Sequence, residues 1–141
     1  MKLPVKLALG GVATLLLMQV VRFEHTNPPV DGEVDAPPEV KLLLKRACYD
    51  CHSHETAWPW YTSVAPVSWL VHRDVTDGRR HLNFSSWATV APERKAKKLK
   101  ELVEEVQGGD MPPWFYLPMH PAAKLTPAEQ QVLVGWANGA H

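Results

Sequence analysis

Residues 39–53 read EVKLLLKRACYDCHS, and the fold turns on them. Val40, Leu43, Leu44 and Ala47 stand at i, i+3, i+4 and i+7, the spacing of one apolar helix face. Pro37 and Pro38 suit a first turn and Asp35 an N-cap, so a helix is expected from Glu39 to about Ala47. It ends by delivering Cys48 and Cys51, with His52 directly after them. The chain has 2 cysteines, so no disulfide framework can join distant parts of it, and whatever the thiols do they do locally.

Toward the carboxyl terminus two further helices are legible. Pro92 opens ERKAKKLKELVEEVQ, where Ala96, Leu99, Val103 and Val106 form a stripe and Gly108 and Gly109 end the run. The last helix begins at Thr126, which with Glu129 has the spacing of a capping box. Val132, Leu133 and Trp136 face inward before Asn138 and Gly139 stop it. Between Ser53 and Ser86 the text is turn-rich and aromatic, with a short helix conceivable from Val67 to Val75. No alternating strand pattern appears, so the fold class expected is all-α with long irregular loops.

Toward the amino terminus, Lys2 and Lys6 precede the apolar run Leu7 to Val21, in which Gln19 is the only strongly polar side chain. A basic start and an apolar run form a signal segment, and no small-x-small cleavage site follows. Residues 1–21 are therefore expected to be an uncleaved anchor, a single-pass membrane helix with its lysines in the cytoplasm. The alternative is a cleaved signal peptide, and both export the domain. Residues 22–38, which include HTNPPVDGEVDAPP, read as an extended proline-rich linker, and residues 39–141 as the single domain.

Composition narrows the function classes. Lys+Arg and Asp+Glu are both 15, so the basic excess of a nucleic-acid binder is missing and no nucleic-acid partner is expected. A domain of this size has a thin core and gains from a cofactor. The 6 tryptophans and 13 prolines suit a loop-rich shell around a large flat apolar object.

Cys48, Tyr49, Asp50, Cys51 and His52 spell C-x-x-C-H, the haem attachment signature. Two thiols at this spacing can add to the two vinyl groups on one porphyrin edge, and the adjacent imidazole can bind the iron. Three other uses of the pair stand beside it. A thioredoxin-like redox pair needs a βαβ neighbourhood. A zinc site needs two more ligands, for which His54, His72, His81 and His120 are available without recognised spacing. The plainest is a Cys48–Cys51 disulfide.

The text from Gly108, GGDMPPWFYLPMHPAAKLTPAEQQVLVGWANG, resembles the carboxyl-terminal part of class I c-type cytochromes at Met111-Pro112, Leu125-Thr126, Glu129 and Trp136. The middle, with WPWY, APVSWL, GRRHLNFSSW and MPPWFYLPMH after C-x-x-C-H-S, is similar to the bacterial haem-binding domain family over most of residues 27–137. The resemblance implies one covalent haem c on Cys48 and Cys51, His52 as proximal iron ligand and Met111 as distal ligand, with Met119 and His120 as alternatives. His72 and His81 are weaker candidates. It implies a small cytochrome c-like helical domain whose terminal helices cross.

The expected function is single-electron transfer with redox partner proteins, from the cytoplasmic membrane, with the haem domain in the periplasm or outside the cell. The alternative is a haem enzyme or a gas or redox sensor with an open or displaceable distal site. Trp58, Trp60, Tyr61 and Trp69 are candidates to wall the haem, and Arg79 and Arg80 to pair with its propionates; core packing and a solvated turn are the ordinary alternatives. The run Arg94, Lys95, Lys97, Lys98, Lys100 is either a docking face for an acidic partner or a wet helix face.

Overall fold

The computed structural model describes residues 2–139. Six α-helices appear among them: α1 Leu3–Met18, α2 Pro38–Ala47, α3 Tyr49–His52, α4 Val67–His81, α5 Pro92–Gly108 and α6 Pro127–Gly139. Short 3-10 turns lie at Trp60–Ser63, Phe84–Thr89 and Pro121–Ala123, and the described residues contain no strand. The fold class is all-α.

The core lies between α2, α5 and α6. Val40, Leu43, Leu44 and Ala47 are the buried residues of α2, the face that the periodicity marks. They join Leu99, Leu102 and Val106 of α5 and Leu133 and Ala137 of α6 in one cluster, closed by Phe84, Trp87 and Val34. At α6 the capping box forms: the Thr126 backbone N–H donates to Glu129 Oε2 (2.8 Å) and the Glu129 N–H to Thr126 Oγ1 (3.3 Å). Arg46 of α2 donates to Glu129 Oε1 at 2.6 Å, tying the two helices at that cap.

Four details differ from the sequence expectation, one of them on α6, where Val132 is exposed and Ala137 is buried beside Leu133. The N-cap of α2 is Pro37 rather than Asp35, because two consecutive prolines hold the extended entry and the first turn without a side-chain cap. On α5 the buried stripe is Leu99, Leu102 and Val106, with Ala96 exposed and Val103 half-buried. Leucine at 102 fills more of the core than alanine at 96, so the helix turns that side inward. α4 runs to His81, six residues beyond the short helix conceivable from sequence, since its buried residues Ser68, Val75 and Gly78 are a sparse apolar signal.

α1 has 16 residues and spans about 24 Å. No helix among the described residues is long and apolar enough to cross a membrane. None of its residues is buried, and Leu7 and Leu17 are 69% and 71% exposed. Beyond it the chain runs without helix to Pro37 while bonding to the domain. Trp69 Nε1 donates to Val21 O, Phe23 stacks on His72, His25 stacks on Trp58, and Asp31 and Val34 donate to Ser85 O and Phe84 O. Gly32 (φ +101°) lies so close to Ala88 that an added Cβ would stand 2.3 Å from that residue's own.

Candidate functional site

The C-x-x-C-H turn, which the sequence reads as an attachment turn, is set by a close approach between α3 and α4. A Cβ on Gly78 would stand 2.4 Å from Cys51 O, so only glycine lets α4 come this near. The approach places two backbone carbonyls at the His52 ring: Nδ1 lies 3.0 Å from Gly78 O and 2.9 Å from Leu82 O. Carbonyls only accept, so Nδ1 carries the proton and Nε2 is left with its lone pair free. Burial lowers the His52 pKa against the pull of the two carbonyls, and keeps the ring in the neutral form that binds metal.

Cys48 and Cys51 are both free thiols. Burial pushes each up to about 12, with Asp50 adding to the effect at Cys51, so both are protonated at neutral pH. They open with His52 onto a cavity of about 690 Å³. Ala47, Leu82, Leu102, Val106, Phe115 and Tyr116 give it a largely apolar wall. Its volume lies in the range of cofactor pockets.

Met111 stands on the same wall, while Met119 and His120 do not line the cavity. Gly109, in the left-handed region at φ +80°, ends α5 and turns the chain back. The backbone N–H groups of Asp110 and Met111 then both donate to Glu105 O, at 3.0 and 3.2 Å. Three residues beyond the end of α5 and held by the Glu105 carbonyl, Met111 is positioned by backbone. His120 is engaged elsewhere: its ring stacks on Tyr116 at 4.0 Å between centroids, and Nε2 is hydrogen-bonded to the Tyr61 hydroxyl.

Asp50, one of the two residues between the cysteines, is a hub that composition and spacing do not reveal. Its Oδ1 accepts from the Ala57 N–H (2.9 Å) and its Oδ2 from the Tyr116 hydroxyl (2.5 Å). The carboxylate thus joins the attachment turn to the following loop and to the loop that carries Met111. Burial, reinforced by Asp50, raises the Tyr116 pKa, which keeps the hydroxyl a donor.

Other sequence candidates go elsewhere. Trp58, Trp60, Tyr61 and Trp69 do not line the cavity; its aromatic side chains are Phe115 and Tyr116. Arg79 staples the amino-terminal strap to the turn after His52, donating to Ser53 O (2.7 Å), Thr26 O (2.9 Å) and Asn27 Oδ1 (3.0 Å). Arg80 pairs with Asp77 at 2.6 Å. The basic run on α5 is partly neutralised by Lys97–Glu101 and Lys100–Glu104 pairs, and Lys98 alone of it reaches the cavity. The cavity is instead flanked by Asp74, Asp77, Glu101, Glu105 and Asp110. No group of three or more His, Cys, Asp or Glu among the described residues is placed to hold a metal ion by itself, so the histidines do not complete a zinc site with the thiols.

A family model described as a haem-binding domain matches residues 13–139, most of the chain. The chain belongs to the haem-binding domain family. No curated protein and no solved structure matches it. Haem binding fits the residues present: two free thiols and an imidazole with its Nε2 unengaged, at the wall of a largely apolar cavity. Of the remaining wall residues of this haem-binding domain, Met111 offers a thioether, the one soft donor there besides the cysteines.

Proposed function

We propose that the protein is a c-type cytochrome that holds one haem covalently and carries single electrons at the periplasmic face of the cytoplasmic membrane. Cys48 and Cys51 hold the group through thioether bonds, His52 through Nε2 and Met111 through its sulfur. Bound haem supplies a one-electron couple; the chain sets its ligands, its dielectric surroundings and its docking face. The observation that carries this reading is the His52 ring, oriented by two carbonyls so that its one free nitrogen is available beside both thiols and Met111.

Each part of the wall has a task in this reading. Apolar side chains exclude water and favour the less charged state of the centre. The carboxylates of Glu105 and Asp110 work the other way and suit a redox partner with a basic face, while Asp74, Asp77 and Glu101 are paired with Arg73, Arg80 and Lys97. This partner polarity is opposite to the one that the α5 lysines suggest. α1, apolar and uncovered by the rest of the chain, serves as the membrane attachment, with Lys2 and Lys6 at its cytoplasmic end.

The test is the absorption spectrum of the full chain matured in a host that attaches haem c. A haem spectrum that survives denaturation, with the weak far-red band of sulfur-to-iron charge transfer in the ferric form, is expected. Met111→Ala removes that band and opens the iron to added imidazole. A high-spin wild-type spectrum overturns the electron-carrier reading in favour of an enzyme or sensor with an open distal site, and a colourless protein overturns covalent attachment.

A further inference from the structure

α1 leaves the domain at one defined corner. There the Gln19 side chain pairs with the backbone of Ala65 at both ends of its amide: Nε2 donates to Ala65 O (3.1 Å), and Ala65 N–H donates to Oε1 (2.9 Å). Two residues on, Val21 O accepts from Trp69 Nε1 at 3.2 Å. A polar side chain ending an apolar helix is thereby used to clamp that helix to the start of α4, and the two cannot swing freely about residue 19.

The same corner exposes apolar side chains, as do Leu42 and the loop with Trp114, Phe115 and Met119 elsewhere on the domain. Trp60 is 75% exposed and Leu70 51%, with Val64 and Val67 also open. Val64 and Val67 bracket the clamped Ala65–Pro66, and Val67 and Leu70 are one turn apart on α4. Arg73, one turn beyond Leu70 on α4, is exposed, and so is Arg22, which follows the Val21 held by Trp69. A tryptophan with branched aliphatics and flanking arginines is the composition of a membrane interface, where rings sit at headgroup depth and guanidinium groups reach anionic lipid.

We propose that the corner formed by Trp60, Val64, Val67 and Leu70 is a lipid-facing seat, lying in the interfacial layer of an anionic bilayer and fixing how the haem domain stands on it. The inference rests on the membrane attachment through α1. Two observations choose lipid over a protein partner: the patch adjoins Ala65 and Trp69, which hold the departing end of α1, and α1 is apolar with no buried residue. Whatever apolar phase covers α1 therefore meets this patch next. The seat also relieves the shortness of α1, since about 24 Å of helix falls short of a hydrocarbon core of about 30 Å. α4 then acts as a strut: from Val67 to Gly78, where it meets the attachment turn, it rises about 17 Å, so the seat sets the height of the cavity above the bilayer.

The test uses the haem-loaded full chain, reduced and labelled with fluorotryptophan, in discs of phosphatidylcholine and phosphatidylglycerol, with Trp60 assigned as the fluorine resonance lost in Trp60→Phe. The chain is expected to float with vesicles of the same lipids. A nitroxide carried near the lipid glycerol is expected to broaden Trp60 while a water-soluble relaxation agent spares it, with buried Trp87 as the baseline for both. Gln19→Ala, which removes both bonds to Ala65, is expected to float equally well and to expose Trp60 to the aqueous agent. Failure to float overturns the attachment and the seat together. Flotation with Trp60 broadened by the aqueous agent alone overturns the seat and leaves the attachment standing, and an unchanged Trp60 in Gln19→Ala overturns the clamp as what holds it.

Discussion

At the residue scale, Gly78 and Asp50 matter as much as the three residues of the attachment signature. Gly78 is required by contact: its missing Cβ is what allows Cys51 O to approach α4 and brings two carbonyls to His52. Gly78→Ala is expected to destabilise the haem-loaded protein by about 1–3 kcal/mol through overpacking against backbone, and to weaken the orientation of His52, checked by urea unfolding and by the reduction potential. Tyr116 is half-buried and donates to a carboxylate, a bond class worth about 1.5–3 kcal/mol when dry and less with partial exposure. Tyr116→Phe keeps the ring stack on His120 and loses the donor. It is expected to cost about 1–2 kcal/mol in unfolding free energy and to speed the binding of added imidazole, because the Met111 loop loses its tie to Asp50. Neither role is visible in the text, where no spacing rule marks Gly78, Asp50 or Tyr116.

At the element scale, the apolar periodicity of α2 specifies its buried face without help from context, because four apolar residues recur at helical spacing between charged ones. α5 is ambiguous, since Leu102 and Val103 compete for the inward direction and only the neighbouring α6 decides. Leu102→Ala is expected to destabilise by about 2–5 kcal/mol, against almost nothing for Ala96→Ser on the exposed side, in thermal or urea melts. The start of α6 carries a pH dependence. Hydrogen bonds from the Thr126 backbone and from Arg46 hold the Glu129 carboxyl below its ordinary value near 4.5. A carboxylate with a depressed folded pKa stabilises above its unfolded value, and that contribution disappears as the pH falls through the folded one. Glu129→Gln is therefore expected to melt below the wild type at pH values above the ordinary carboxylate value, with the gap narrowing as the pH is lowered beneath it, read in melts across the acid range.

At the scale of the whole molecule, a cavity of about 690 Å³ borders the core beside Cys48, Cys51 and His52. An apolar cavity that size forfeits packing against every wall it has, and a thin-cored domain cannot sustain it without an occupant. Chain produced without haem attachment is expected to lose near-ultraviolet circular dichroism and cooperative melting while keeping much of its helix signal, the behaviour of a compact state without fixed packing. A sharp thermal transition in the haem-free chain would show that α2, α5 and α6 suffice alone. On the proposed electron-carrier reading, the carboxylates of Glu105 and Asp110 have a global consequence: transfer to a basic partner is expected to slow with ionic strength in stopped-flow measurements, since screening weakens steering over distances beyond about 8 Å at physiological salt.

Sequence alone determined the all-α class, the buried face of α2, the capping box of α6 and the local grouping of Cys48, Cys51 and His52, because each of these depends on neighbours within about two helical turns. Tertiary structure decided the rest. That Met111 shares a wall with His52 while His120 is held by Tyr61 and Tyr116, that Arg79 staples residues 26 and 27 to the turn after His52, and that Gln19 closes on Ala65 are matters of contact between segments up to 59 residues apart. No spacing rule reaches that far: which side chains meet follows only once burial of the helix faces has set where the loops between them must run.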